Sequence, residues 1–170
     1  MLIVCGLAPL PKVVAERRPS HVITLLDPWT PIETPDGVAP ERHLRLGVND
    51  ICEAVEGMVP PDETVIARIM DFSRTWDEQA PMVVHCWAGI SRSTATAFAI
   101  ACERSPEAAE LEIARALRKA APHAYPNRRI VTLADDLLGR CGRMVDAVEA
   151  IGDNGWVSSG VPFDFPVRYR

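Results

Sequence analysis

Long apolar runs are missing from this chain of 170 residues. No stretch reaches the roughly 18 residues that a membrane-spanning helix needs, so no membrane partner is expected. The apolar start MLIVCGLA is short and no positive segment precedes it. It reads as a first strand rather than a signal peptide. Cysteine is sparse: positions 5, 52, 86, 102 and 141, an odd number with no CxxC among them. That spacing argues against a disulfide framework or a zinc cluster, and a reducing cytoplasm is the expected setting. Histidines 21, 43, 85 and 123 form no HExxH or other ligand spacing, so no metal is expected. Positive charge is short as well, with 18 Lys and Arg against 23 Asp and Glu and a formal charge of −5. A mildly acidic chain is a poor binder of nucleic acid through bulk electrostatics. A local positive pocket is still compatible with it.

What is present suits one domain with a proper core: 48% apolar and 24% charged residues. The expected unit spans residues 1–151, with 152–170 as a tail that either hangs loose or lies against the body. Leu2 to Leu7 and the β-branched HVITLL (21–26) read as strands, with a short helix from Pro9 to Arg18 between them. Residues 27–41 carry four prolines and a glycine and read as a loop, in which Trp29 either walls a pocket or sits on a plain surface. Leu44, Leu46 and Val48 alternate as a third strand. Pro60-Pro61-Asp62 opens a helix whose face is Val65, Ile69, Phe72 and Trp76. Met82–His85 is a buried strand, and the alanine-rich run to about Arg104 is a buried helix. Ser105-Pro106-Glu107 is expected to cap and start the next helix, and Asn127 to cap a long one running five turns to Val148. This order predicts an α/β fold: a mostly parallel, twisted sheet of four to five strands flanked by helices.

The stretch HCWAGISRS (85–93) lies between the buried strand and the buried helix. Ligands tend to sit at the carboxyl ends of such strands. A tight strand-to-helix loop can turn successive N–H groups inward as an anion nest. The helix N-terminus adds unpaired N–H groups and a positive dipole end. Gly89 permits backbone shapes that other residues resist, and Arg92 offers a planar, two-pronged donor to an oxyanion. The loop Trp87-Ala88-Gly89-Ile90-Ser91 with Arg92 is thus a cradle for a tetrahedral dianion, and phosphate is the natural guest. Cys86 forms its floor, where the same field favours thiolate over thiol, the form that attacks. Ser93 can donate a hydrogen bond to that sulfur, and His85 is expected to brace the loop.

The pattern His-Cys-x-x-Gly-x-Ser-Arg-Ser resembles the signature loop of the cysteine-dependent protein tyrosine phosphatases, most of all the dual-specificity branch. The order of strands and helices extends the resemblance over about residues 1–150. It implies Cys86 as nucleophile, Arg92 as phosphate binder, Ser93 as the hydroxyl that assists turnover, and an aspartate on another loop as general acid. Asp50, at the end of Leu44–Asp50 and thirty-six residues before Cys86, fits that place; Asp27 and Asp36 compete with it. The resemblance further implies no cofactor, a phosphorylated protein or peptide as substrate, and phosphate and vanadate as ligands.

Two other readings stay open. One is a binding module of the same fold that holds phosphoprotein without hydrolysis. The other keeps the catalysis but moves it to a phosphoinositide, a nucleotide or an RNA 5′-phosphate; the loop contains no lysine, which weighs against the lipid. Cys5, on a neighbouring strand, is a candidate partner for an oxidised Cys86. The remaining cysteines read as packing residues.

Overall fold

In the computed structural model, which describes residues 1–153 and 155–170, five strands form one mixed sheet. They are β1 (Leu2–Cys5), β2 (His21–Leu26), β3 (His43–Gly47), β4 (Met82–His85) and β5 (Phe163–Phe165). The spatial order is β3-β2-β4-β1-β5. The first four run parallel, and β5 alone is antiparallel, pairing Leu2 with Phe165 and Val4 with Phe163. The expected mostly parallel sheet is therefore present.

β1, β2 and β4 are buried along their whole length, as strands covered on both faces must be. Their side chains alternate between two cores. Leu2, Val4, Ile23, Leu25, Met82 and Val84 face the larger core, whereas Ile3, Cys5, Val22 and Val83 face the smaller one. The smaller core is closed by α1 (Leu10–Arg17) through Leu10, Val13 and Val14. The larger core is covered by α2 (Glu63–Arg74), α3 (Arg92–Arg104), α4 (Glu110–Ala120), α5 (Arg128–Leu137) and α6 (Arg143–Ala150). Every residue of α3 from Arg92 to Cys102 is buried, and its alanines let it lie close on the sheet. Asp62 caps α2 by accepting from the Val65 amide at 2.9 Å.

Two expectations about helices are corrected. The run expected as one helix from Asn127 to Val148 is two, α5 and α6, broken between Leu138 and Gly142. Gly142 has φ 89° and Cys141 φ 54°, left-handed values that an α-helix cannot contain. The buried carboxylate of Asp135 spans the break, accepting from the amides of Gly142 (2.6 Å) and Met144 (2.7 Å). The apolar 3–4 spacing survives because both helices pack on one core. The second correction concerns α4, which begins at Glu110 rather than at Pro106. The Ser105 hydroxyl instead donates to the Val167 carbonyl at 3.0 Å and accepts from the Tyr169 amide at 2.9 Å.

The end of the chain is held against the body through Gly160, Phe165, Val167 and Tyr169, whereas 155–159 are exposed. Phe165 and Val167 join the larger core, and the Gly160 amide donates to the Ala88 carbonyl at 2.8 Å.

Candidate active site

The site lies at the carboxyl ends of β2, β3 and β4. β4 ends at His85, and α3 starts at Arg92, so the intervening loop is squeezed between sheet and helix. Gly89 has φ 72°, and a Cβ there would come within 2.6 Å of the Gly6 nitrogen. Only glycine fits a loop this close to the end of β1.

The backbone of the loop divides into two sets of groups. The Trp87 carbonyl accepts from the Leu7 amide (3.0 Å), that of Ala88 from Gly160 (2.8 Å), that of Ile90 from Tyr125 (2.9 Å) and that of Ser91 from Asn127 (3.2 Å). These carbonyls are tied outward to the surrounding body. The amides of Trp87 to Arg92 find no acceptor among the described residues. Buried or half-buried N–H groups are rarely left unpaired without a reason. Here six successive amides are left without a protein acceptor.

Cys86 is 2% exposed and its Sγ lies 3.1 Å from the Ser93 Oγ. Arg92 is 3% exposed. Its Nη1 donates to the Val48 carbonyl (2.6 Å) and to Asp27 Oδ1 (3.2 Å). Its Nε is buried without a partner. A cavity of about 500 Å³ opens over the loop, lined by Cys86, Trp87, Ala88, Ile90, Ser91 and Arg92 on one side and by Asp50, His123, Tyr125 and residues 155–158 on the other.

His85 is fully buried behind the loop. Its Nδ1 lies 3.4 Å from the Cys86 carbonyl, and its Nε2 lies 2.7 Å from the Thr24 hydroxyl, which His43 Nε2 also reaches at 2.8 Å. Burial pushes both imidazoles down to about 4. His85 is thus a neutral strut tying β4 to β2 and β3.

The structure brings three of the candidate acids' positions into contrast. Asp50 lines the cavity, and its Oδ1 accepts from the Ser91 hydroxyl and from Asn127 Nδ2, each at 2.8 Å. Asp27 also reaches the loop, but all its visible bonds hold other groups in place: Arg92, Asn49 Nδ2 (3.0 Å) and the Trp87 indole N–H (2.9 Å). Asp36 lies elsewhere, against Pro11 and Val14. Trp29 is 64% exposed and does not line the cavity, so it belongs to the plain surface. The Cys5 thiol is pushed up to about 12, first by burial and then by Cys86, which disfavours the thiolate form needed for exchange.

Several residues of the site were missed in the sequence. Asp27, which directly follows β2, was weighed only as a rival acid; its hold on Arg92 could have been sought from its place at the carboxyl end of a parallel strand. Thr24 sits inside an apolar strand, where a hydroxyl must find a partner. His123, Tyr125 and residues 155–158 carry no local signal, because chain reversals far from the loop bring them there.

The family model "Protein-tyrosine phosphatase" matches residues 55–126, which include the whole loop. The fold is shared with solved structures of low identity. DUSP15 is 17% identical with a TM-score of 0.65, covering 91% of this chain and 94% of its own. PTPMT1 in complex with PI(5)P is 16% identical with a TM-score of 0.62, covering 82% and 91%. Human DUSP28 is 17% identical with a TM-score of 0.60, covering 82% and 92%. Over residues 55–126 the chain is thus similar to the protein tyrosine phosphatases, and its fold is shared with the dual-specificity structures. No curated protein matches the sequence. Among the described residues that fold comprises five strands and six helices.

Proposed function

We propose that the protein hydrolyses phosphomonoesters of proteins or peptides through a phosphocysteine intermediate on Cys86. One observation carries the reading: in the loop that follows Cys86, the amides of 87–92 have no acceptor among the described residues while the carbonyls of Trp87, Ala88, Ile90 and Ser91 are bonded to the surrounding body. The buried, partnerless Nε of Arg92 supports it. Such donors suit the equatorial oxygens of a transferring phosphoryl group.

In the first step the Cys86 thiolate attacks phosphorus and the ester P–O bond breaks. Asp50, at the cavity wall, gives its proton to the departing oxygen. In the second step Asp50 takes a proton from water as that water attacks phosphorus. The S–P bond breaks, phosphate leaves, and the Ser93 hydroxyl donates to the returning thiolate. The chemistry needs no cofactor.

PTPMT1 in complex with PI(5)P supports a second reading, a phosphoinositide substrate. The cavity wall weighs against it. Asp50 and Asp153 face the opening, and the loop supplies Arg92 but no lysine. A polyanionic headgroup would meet carboxylates there.

The test is hydrolysis of p-nitrophenyl phosphate, a phosphotyrosine peptide, a phosphoserine peptide and a phosphoinositide under reducing conditions. Expected results are vanadate-sensitive turnover, faster on the peptides than on the lipid. Cys86→Ser should abolish turnover while phosphopeptide binding persists. Binding without turnover by the unaltered protein would mean a binding module, and lipid hydrolysis exceeding that of both peptides would move the substrate class.

A further inference from the structure

The side chain of Asn127 works in two directions. Its Oδ1 accepts from the Ile130 amide at 3.1 Å and so caps α5. Its Nδ2 donates to Asp50 Oδ1 at 2.8 Å, the same oxygen that receives the Ser91 hydroxyl at 2.8 Å. The Asn127 backbone amide also donates to the Ser91 carbonyl at 3.2 Å. Asn127 is 3% exposed, whereas Asp50 is at the surface. A buried residue fixed by a helix, a loop carbonyl and a cap thus grips one oxygen of an exposed carboxyl group. No donor reaches Asp50 Oδ2 among the described residues.

We propose that Asn127 is a positioning residue for the proton-transfer step, a reading that rests on Asp50 as the general acid. An oxygen receiving two donors acts as an acceptor and has no room for a proton of its own. When Asp50 is protonated, the proton therefore sits on Oδ2, the oxygen left open to the cavity. Asn127 and Ser91 together set both which oxygen carries the proton and where it points. Proton transfer depends steeply on that geometry. Asn127 further couples the acid to the phosphate loop, since Ser91 belongs to the loop and touches both residues.

A structural role and a positioning role separate cleanly here, because serine and aspartate are also good N-caps. Asn127→Ser keeps an acceptor for the Ile130 amide but removes the donor to Asp50. Asn127→Asp keeps the side-chain shape and sets a carboxylate against a carboxylate. The readout is kcat on phenyl phosphate, whose leaving group needs a proton, against p-nitrophenyl phosphate, whose leaving group needs it far less. In both variants kcat on phenyl phosphate should fall roughly tenfold or more, against less than about threefold on the nitrophenyl ester, with melting temperature and KM little changed. In an Asp50→Asn background the selective loss should vanish, since the group being positioned is gone. Equal losses on both esters, or no loss, would overturn the proposal. If Asp50→Asn alone shows no leaving-group selectivity, the proposal fails at the acid. An inactive Cys86→Ser in the same assay then shows that hydrolysis through Cys86 still stands.

Discussion

In the proposed mechanism a single hydroxyl, that of Ser93, carries the release step. Its Oγ is 3.1 Å from Cys86 Sγ and fully buried, and it sits in the first turn of α3. A hydrogen bond to a charged group is worth about 1.5–3 kcal/mol, or roughly 10- to 150-fold in rate. Because that bond matters most when sulfur leaves, Ser93→Ala should slow release of the intermediate rather than its formation. Stopped-flow assays should then show a burst of nitrophenol followed by a steady state at least tenfold slower than wild type, with kcat/KM nearly unchanged. A linear trace with kcat/KM reduced as much as kcat would place the role of Ser93 elsewhere. At this scale the sequence was largely readable. Cys86, Gly89, Arg92 and Ser93 are close in the chain, so one loop displays them together. Asp50 was singled out by its place after a strand and before Cys86, and it lines the cavity. Asp27 stood as a rival acid, because only the fold reveals that its two oxygens hold Arg92, Asn49 and Trp87.

Elements were readable where one period runs unbroken, as in β2, β4 and α3, and less so where the chain turns within a continuous apolar pattern. The α5–α6 break is the clearest case. Apolar spacing cannot distinguish one helix from two that face the same core, and the decisive signal, Gly139 and Gly142 around a cysteine, is local backbone chemistry. Asp135 makes the corner by accepting from two amides at the start of α6 while only 2% exposed. Asp135→Ala should cost about 2–4 kcal/mol, since two amides lose a charged acceptor in a buried setting. Urea denaturation should report the loss as a lower midpoint with an unchanged slope. A midpoint within error of wild type would mean that the corner holds without this carboxylate. β5 was missed for a different reason: three residues among glycines and prolines make a strand only because β1 offers an edge.

Across the whole molecule, the strands that carry the site are tied together by a neutral histidine pair within the sheet, His43 of β3 and His85 of β4. His85 and His43 share the Thr24 hydroxyl and are pushed down to about 4 by burial, with a smaller contribution from each one's positively charged or titratable neighbour. In the unfolded chain both would titrate near 6.5. Between those values the unfolded state binds more protons, so the stability they confer is complete above about pH 6.5 and is lost as pH falls toward about 4. At pH 5 each histidine contributes a loss of about 2 kcal/mol at most. Urea midpoints should therefore drop between pH 7.5 and pH 5, and a flat profile over that range would contradict the buried neutral pair. The same pair supports the loop from below, since His85 touches both Thr24 and the Cys86 carbonyl.

The whole account turns on phosphorus becoming bonded to one sulfur. Rapid acid quenching during turnover of a phosphotyrosine peptide, followed by mass spectrometry of the fragment that carries Cys86, tests this directly. The account predicts a phosphoryl group on Cys86 that accumulates further in Ser93→Ala and is absent from Cys86→Ser. Turnover with no adduct on that fragment, or with phosphate carried by another residue, would contradict it.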